Sequence, residues 1–441
     1  MAEPSSSTVE ARAMRKVQRR FVPLLVICFI VGFMDRVNVG FAALTMSKQL
    51  GFTATAFGLG AGLFFVTYFL CEIPSNLALE RFGARRWIAR IMITWGILSA
   101  LTAFVWNDWS FYGIRVLLGA AEAGFFPGIV LFFTYWMPNK YRARVTAMFM
   151  AAMPLASVIG SPISGYLIGQ EAFGLHGWQL MYILEGVPSV ILAFVVLKVL
   201  RDSPADAEWL APDELAWLQG TLRQEQKDRP HIALAKMVDL FRNRRLLLLA
   251  AAYFGMVGMN FCLSFFLPQI VKEFHLSFVQ TGFVSALPFL AATIGMTLWG
   301  YHSDRTGERR FHVLIPFALA IATLAGSTLT SVPAVKLLLL CVAAVGVFCS
   351  LSIFFAALPN LLSPAMAAVG LAMVNSLGNL SGFTAPYLIG AIKDATGSFN
   401  GGLQVLAAYG VVALVILATL LKSDRNAAPA RPDGLAAGQE A

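Results

Sequence analysis

Apolar residues run along this chain in stretches of about twenty, the length an α-helix needs to cross a hydrocarbon core about 30 Å thick. Such stretches fall at 21–46, 56–79, 87–106, 110–136, 143–169, 178–200, 246–271, 278–301, 311–331, 335–358, 365–392 and 402–422. The pattern predicts twelve transmembrane helices. The first stretch carries Asp35, Arg36 and Asn38, is too long for a signal-peptide core and has no small-residue cleavage pattern after it, so it counts as span 1. One polar interruption is long: 201–245 holds 8 basic and 8 acidic residues, three prolines, and a short amphipathic stretch around Glu208 to Leu222. It separates six spans in 21–200 from six in 246–422, with tails at 1–20 and 423–441.

Internal repetition follows the same division. Asn76-Leu-Ala-Leu-Glu80-Arg81-Phe-Gly83-Ala-Arg85-Arg86 follows span 2, and Gly300-Tyr-His-Ser-Asp304-Arg305-Thr-Gly307-Glu-Arg309-Arg310 follows span 8, 224 positions later. Tyr166-Leu-Ile-Gly169 ends span 5 and Tyr387-Leu-Ile-Gly390 ends span 11, 221 positions later. The two matches pair span 2 with 8 and span 5 with 11. Six is even, so both halves run in the same direction and an axis along the membrane normal relates them. The expected fold is an all-α membrane protein with two six-helix bundles around a central cavity.

Composition agrees: of 441 residues, 58% are hydrophobic and 13% charged, against roughly half and a quarter in soluble domains. The net charge of +9 does not point to nucleic acid. Lys and Arg number 26 on the side of the N-terminus and 4 (Lys48, Lys272, Lys336, Lys393) on the other, which predicts cytoplasmic termini and a cytoplasmic middle loop. All five cysteines lie in apolar stretches and read as small core residues. The five histidines lie in loops or at span ends without metal spacing, and no phosphate-cradling Gly-Lys-Ser/Thr loop is present, so neither a metal nor ATP drive is expected.

An ionised side chain at mid-bilayer costs about 2.5–3.5 kcal/mol even on the gentlest scale, so intramembrane charge normally faces a cavity or a partner. Asp35 and Arg36 lie roughly 21 Å into span 1, Glu122 about 18 Å into span 4, and Arg115 seven residues earlier on the same helical face. A carboxyl group in a partly dry cavity can take up a proton on one side and release it on the other, and a nearby Arg resets it. A guanidinium matches a carboxylate through two parallel hydrogen bonds and keeps its proton. Carrying a carboxylate into a cell that is negative inside costs about 2.3 kcal/mol per charge per 100 mV, which a co-transported proton cancels. The same four residues also admit a reading as static ion pairs holding the first bundle together. Tyr68 on span 2, Asn260 on span 7, and Asn375 and Asn379 one turn apart on span 11 are further candidates for hydrogen-bonding a substrate; interhelical bonding is the alternative for each. Glu72 and Glu185 lie nearer span ends and read as structural. Gly378, Gly382, Pro386 and Gly390 on span 11, and Gly160, Pro162, Gly165 and Gly169 on span 5, predict close helix approach and bending.

The acidic-Arg-x-Gly-x-Arg loops at 80–85 and 304–309 in a 6+6 layout resemble the loop signature of the major facilitator superfamily, over essentially the whole chain. Asp35-Arg36-Val-Asn38, Glu72-Ile-Pro74-Ser-Asn76, Arg115-Val-Leu-Leu-Gly-Ala-Ala-Glu122-Ala-Gly124-Phe-Phe126-Pro127 and Leu184-Glu185-Gly186 resemble its anion:cation symporter branch, nearest its bacterial tartrate and phthalate permeases. The first loop departs from the pattern at Asn76 and Glu80, where Gly and Asp are usual, and Met150 to Leu155 lacks the span 5 Gln of some sugar-acid carriers. The resemblance implies proton coupling by Asp35 and Glu122 and a substrate carboxylate held by Arg36. Arg115 is read beside them as a substrate-site residue and gating partner of Glu122, and Glu80, Arg81, Asp304 and Arg305 as gating residues that hold the inward face shut.

The expected function is proton-coupled import of a small organic carboxylate by alternating access, with protons as coupling ion and no other cofactor. A monomer in a bacterial inner membrane is expected. A proton-coupled exporter of a drug or organic cation is the alternative; it shares fold and loops, but a cation site favours unpaired acids over arginines. A channel is disfavoured by the two-half repeat, an enzyme by the missing nucleophile or metal set.

Overall fold

The computed structural model describes residues 6–227, 242–362 and 367–421. The expected tail at 423–441 and the stretch 228–241 of the middle loop lie outside the described residues. The first half comprises α1 (Ser6–Val37), α2 (Val39–Ala42), α3 (Met46–Leu50), α4 (Ala54–Phe82), α5 (Ala84–Leu101), α6 (Asp108–Glu122), α7 (Phe125–Trp136), α8 (Asn139–Leu167) and α9 (Gly177–Val199). After α10 (Pro212–Lys227) come α11 (Arg244–Lys272), α12 (Phe278–Thr306), α13 (Arg310–Ser327), α14 (Pro333–Ala357), α15 (Ala367–Asn379), α16 (Ser381–Thr396) and α17 (Asn400–Leu420). Eleven stretches among the described residues are long and apolar enough to cross a membrane. The twelfth crossing is α15 with α16, two short helices in one span.

Among the described residues three spans are broken along their length. Span 1 bends at Asn38, between α1 and α2; span 4 breaks at Ala123–Gly124, between α6 and α7; span 11 breaks at Leu380. Gly124 has φ +84°, a conformation other residues rarely take, and a Cβ there would lie 2.4 Å from the Ser75 hydroxyl. Irregular backbone inside a membrane is tolerated where it is buried in protein or lines a cavity. These breaks follow directly after Arg36-Val37, Glu122 and Asn379, so each candidate residue sits at or beside a helix end.

The helix α1 begins some fifteen residues before the apolar stretch, within the tail expected at 1–20. Val9, Ala13, Met14 and Val17 are buried, which is why this segment is helical. Its outer face is clasped to α10 by Arg12–Asp213 (2.6 Å) and Lys16–Glu214 (2.7 Å). The start of α8 joins in through Lys140–Glu10 (3.0 Å) and Arg142–Glu225 (2.8 Å). All these elements attach to the first half.

Within the first half, α5 packs on α9 and α4 on α6; within the second, α14 packs on α13 and α12, and α11 on α17. The halves meet through α4 against α16 and α8 against α12. Small residues form that seam, at the end away from the termini. A Cβ on Gly58 would lie 2.2 Å from the Pro386 carbonyl, and Gly165 faces Gly282 backbone to backbone.

Candidate functional site

A cavity lies between the halves. Each wall is one face of a helix. Phe29, Gly32, Phe33 and Arg36 recur on α1, Tyr253, Val257, Asn260 and Phe261 on α11, and Phe348, Leu351, Ser352 and Phe355 on α14, all at three- and four-residue spacing. Tyr68 on α4, Glu122, Phe125 and Phe126 around the span 4 break, Met150 and Met153 on α8, Met296 on α12, and Asn375 and Asn379 on α15 complete it.

Arg36 and Glu122 form an ion pair on this wall, with Glu122 buried and Arg36 only slightly exposed. The guanidinium carbon of Arg36 lies 5.9, 5.3 and 5.2 Å from the ring centres of Phe33, Phe64 and Tyr68, so aromatic faces hold it in place. Its Nε–H is buried and meets no acceptor among the described residues. The amide oxygen of Asn260, 2% exposed, is likewise without a donor. Asn375 lies 3.4 Å from the Tyr253 hydroxyl.

Six of the candidates therefore come together: Arg36, Tyr68, Glu122, Asn260, Asn375 and Asn379. Asp35 and Arg115 do not line the cavity. Successive residues on a helix point about 100° apart, so with Arg36 inward, Asp35 turns between α5 and α9. There its carboxylate accepts from Trp95 Nε1 (2.7 Å), Ser99 Oγ (3.1 Å) and Ser189 Oγ (3.1 Å). Arg115 is 1% exposed, donates to the Ala61 carbonyl (3.2 Å) and lies over the Phe64 ring (4.9 Å). In the described conformation Glu122 pairs with Arg36 and not with Arg115, whose guanidinium is turned against α4.

The gating candidates lie at the end that carries the termini. Glu80 and Arg81 are exposed at the end of α4; Arg305 is exposed, and Asp304 pairs with Arg309 of its own loop (2.6 Å). Beside the first loop lies Asp202, whose carboxylate accepts from the Arg85 N–H (2.8 Å) at the start of α5. In the second loop Glu308 caps α13, accepting from the Phe311 and His312 N–H groups (2.7 and 3.2 Å) and lying 2.6 Å from His312 Nδ1. Partial burial opposes ionisation of Glu308, but these donors outweigh it and hold its carboxyl below the usual range. No group of three metal-ligating side chains exists among the described residues.

Sequence reasoning missed Trp95, Ser99 and Ser189, which are ordinary span residues until α1, α5 and α9 are packed. It also missed Ser376, whose hydroxyl donates to Glu72 across the two halves (2.9 Å). Glu185, read as structural, accepts from Asn38 Nδ2 (3.0 Å) and Ser164 Oγ (2.7 Å) inside the first half.

Twelve crossings in two like halves, with one charged chamber between them, define a polytopic membrane transporter rather than an enzyme. The sequence pattern of the Major Facilitator Superfamily matches residues 24–386 and 249–438, and the chain belongs to that family. Two Agrobacterium vitis proteins, each named "Putative tartrate transporter", are 48% and 46% identical to it, over 95% and 97% of this chain and 96% and 95% of their own. The crystal structure of a bacterial homologue of the human lysosomal transporter Spinster superposes with a TM-score of 0.74 at 16% identity, covering 93% of this chain and 97% of that one. That likeness concerns the fold.

Proposed function

We propose that the chain is a proton-coupled symporter that imports a small organic carboxylate. The observation that carries this reading is the Arg36–Glu122 pair on the cavity wall. Protonation of Glu122 releases the guanidinium, which then takes the substrate carboxylate through its two-pronged donor edge. Loss of the proton on the other side restores the internal pair and expels the anion. The names of the Agrobacterium relatives agree with an acid as cargo. In this scheme Asp35 is the second carboxylate of the coupling network, Arg115 steadies α6 beneath Glu122, and Tyr68, Asn260, Asn375 and Asn379 contact the substrate.

The halves 21–200 and 246–422 rock about the cavity, with the middle loop 201–245 and both termini in the cytoplasm of a bacterial inner membrane. The Lys and Arg asymmetry supports that orientation. With it, the α4–α16 and α8–α12 seam closes the outer end, so the described conformation faces inward. Glu80, Arg81, Asp304 and Arg305 then gate the inner end in the opposite state. A monomer suffices, since both halves of the chamber come from one chain.

The test is uptake into proteoliposomes under an inward proton gradient, with labelled organic acids. Wild type should concentrate an acid; Glu122→Gln should lose gradient-driven accumulation while still exchanging labelled for unlabelled substrate. Exchange of a lipophilic cation for protons, with no acid accumulated, would instead establish the exporter.

A further inference from the structure

The seam between α4 and α16 follows one face of α16, through Pro386, Gly390 and Asp394 at four-residue spacing. Pro386 lies against Gly58, and a Cβ on Gly390 would come within 2.1 Å of the Ala54 carbonyl, so the two backbones touch as far as the start of α4. One turn further along, the Asp394 carboxylate accepts from the Ala54 N–H (3.0 Å), the Thr55 N–H (2.7 Å) and the Thr55 hydroxyl. Those two N–H groups open α4 and have no acceptor within their own helix. A side chain of the second half therefore caps a helix of the first.

The seam between α8 and α12 is built differently. There α12 begins Ser277-Phe-Val-Gln280, whose end residues complete a capping box from its own sequence. The matching start of α4 reads Thr53-Ala-Thr-Ala56: Thr53 serves the Ala56 N–H (3.0 Å), but alanine returns no bond. Ala54 and Thr55 take their acceptor from across the seam instead, and a carboxylate suits the positive end of a helix. The charged neighbours of Asp394 are engaged elsewhere. Lys393 turns into its own half, 3.5 Å from Glu273 just past α11 and over the Phe399 ring.

Resting on the alternating-access reading above, we propose that Asp394 is a conformational latch, whose cap on α4 forms when this end of the molecule shuts and is given up before the chamber opens here. On opening, the carboxylate and the two N–H groups return to water. The latch then weights the equilibrium towards the described conformation by about the worth of one helix cap, close to fivefold.

Spin labels beside Thr53 and Thr396, on the purified protein in nanodiscs, give the ratio of closed to open at this end. Asp394→Ala should move that ratio about fivefold towards open, and Asp394→Asn, which keeps an acceptor without the charge, part of the way. Lys393→Gln, next in sequence but bonded within its own half, should move it less than twofold. Ala54→Pro tests the other partner. Proline is well accepted as the first residue of a helix, Thr53 before it is already extended (φ −72°, ψ 162°), and the change deletes one N–H of the latch. It should move the ratio about threefold in the wild-type background and leave it unchanged in Asp394→Ala. Equal shifts in both backgrounds, or an Asp394→Ala variant that melts earlier with unaltered distances, would overturn the latch while leaving alternating access in place. A single separation in the wild type at every pH from about 5 to about 8 would overturn alternating access at this seam, and the latch with it.

Discussion

The hydroxyl of Ser376 on α15 donates to the carboxylate of Glu72 on α4, a 2.9 Å bond between the two halves of the molecule. It lies off the small-residue seam that closes the opposite end, so it ties the halves together at a second level. A side-chain hydrogen bond within a bilayer contributes about 0.6 kcal/mol on average, close to a threefold change in an equilibrium. Ser376→Ala should shift the population about threefold away from the described conformation, read as a distance change between spin labels at the ends of the two halves that lie on the side of the N-terminus. An unaltered distance distribution would mean the bond does not discriminate between conformations.

Arg36 and Arg115 lie within reach of one Phe64 ring yet should behave differently when replaced by lysine. Arg36 lines the cavity and uses a planar donor edge that an ammonium does not reproduce. Arg36→Lys should raise the KM for the transported acid about tenfold or more, with little change in melting temperature. Arg115 donates to the Ala61 carbonyl in a sealed site. Arg115→Lys should lower the melting temperature in detergent by several degrees, through loss of a buried charged hydrogen bond worth about 1.5–3 kcal/mol, while moving KM less than threefold. The reverse pattern would return Arg115 to the substrate site.

Glu308 predicts an acid limit to the stability of the second half. Its carboxylate caps the first turn of α13, and removing such a cap costs about 1 kcal/mol. A carboxyl whose folded value is depressed contributes stability that is fully present above its unfolded value, near 4.3, and is lost as pH falls through the lower folded one. The melting-temperature gap between wild type and Glu308→Ala should therefore be present at about pH 4.5 and close as the pH falls below that. A gap that persists undiminished at about pH 2 would refute the cap's charge.

The crossings are legible in sequence because a bilayer demands a minimum apolar length and the chain keeps polar residues out of it. The position of Arg36 and Glu122 on one chamber is legible for the same reason, charge being tolerated only where it finds a partner. Side-chain direction is less so. Asp35 and Arg36 are neighbours in sequence but point to different compartments, and only the placement of α5 and α9 decides which faces inward. The span 4 break has a local signal in Gly124 before Pro127, and the Leu380 break has one in the flanking Gly378, Asn379, Ser381 and Gly382, all weak helix formers. Arg115 has the right spacing from Glu122 to share its face, yet α4 closes that face two turns away.

Closure of the α4–α16 seam depends on Gly58, and this can be separated from any effect of glycine on helix stability. A Cβ at Gly58 would come within 2.2 Å of the Pro386 carbonyl, a backbone atom that cannot rotate away. Gly113 on α6 has nothing within 4 Å of its hypothetical Cβ. Both lie inside helices, where alanine is favoured over glycine by about 1 kcal/mol. Gly113→Ala should therefore raise the melting temperature and leave the conformational equilibrium where it is. In Gly58→Ala the same helical gain is opposed by overpacking, typically about 1–3 kcal/mol, and only in the conformation that seals this end. Spin labels at the ends of α4 and α16 should report a wider separation for Gly58→Ala alone, and transport should slow because this seam no longer shuts fully. Equal distances in the two variants would show that the halves open and close along some other line of contact.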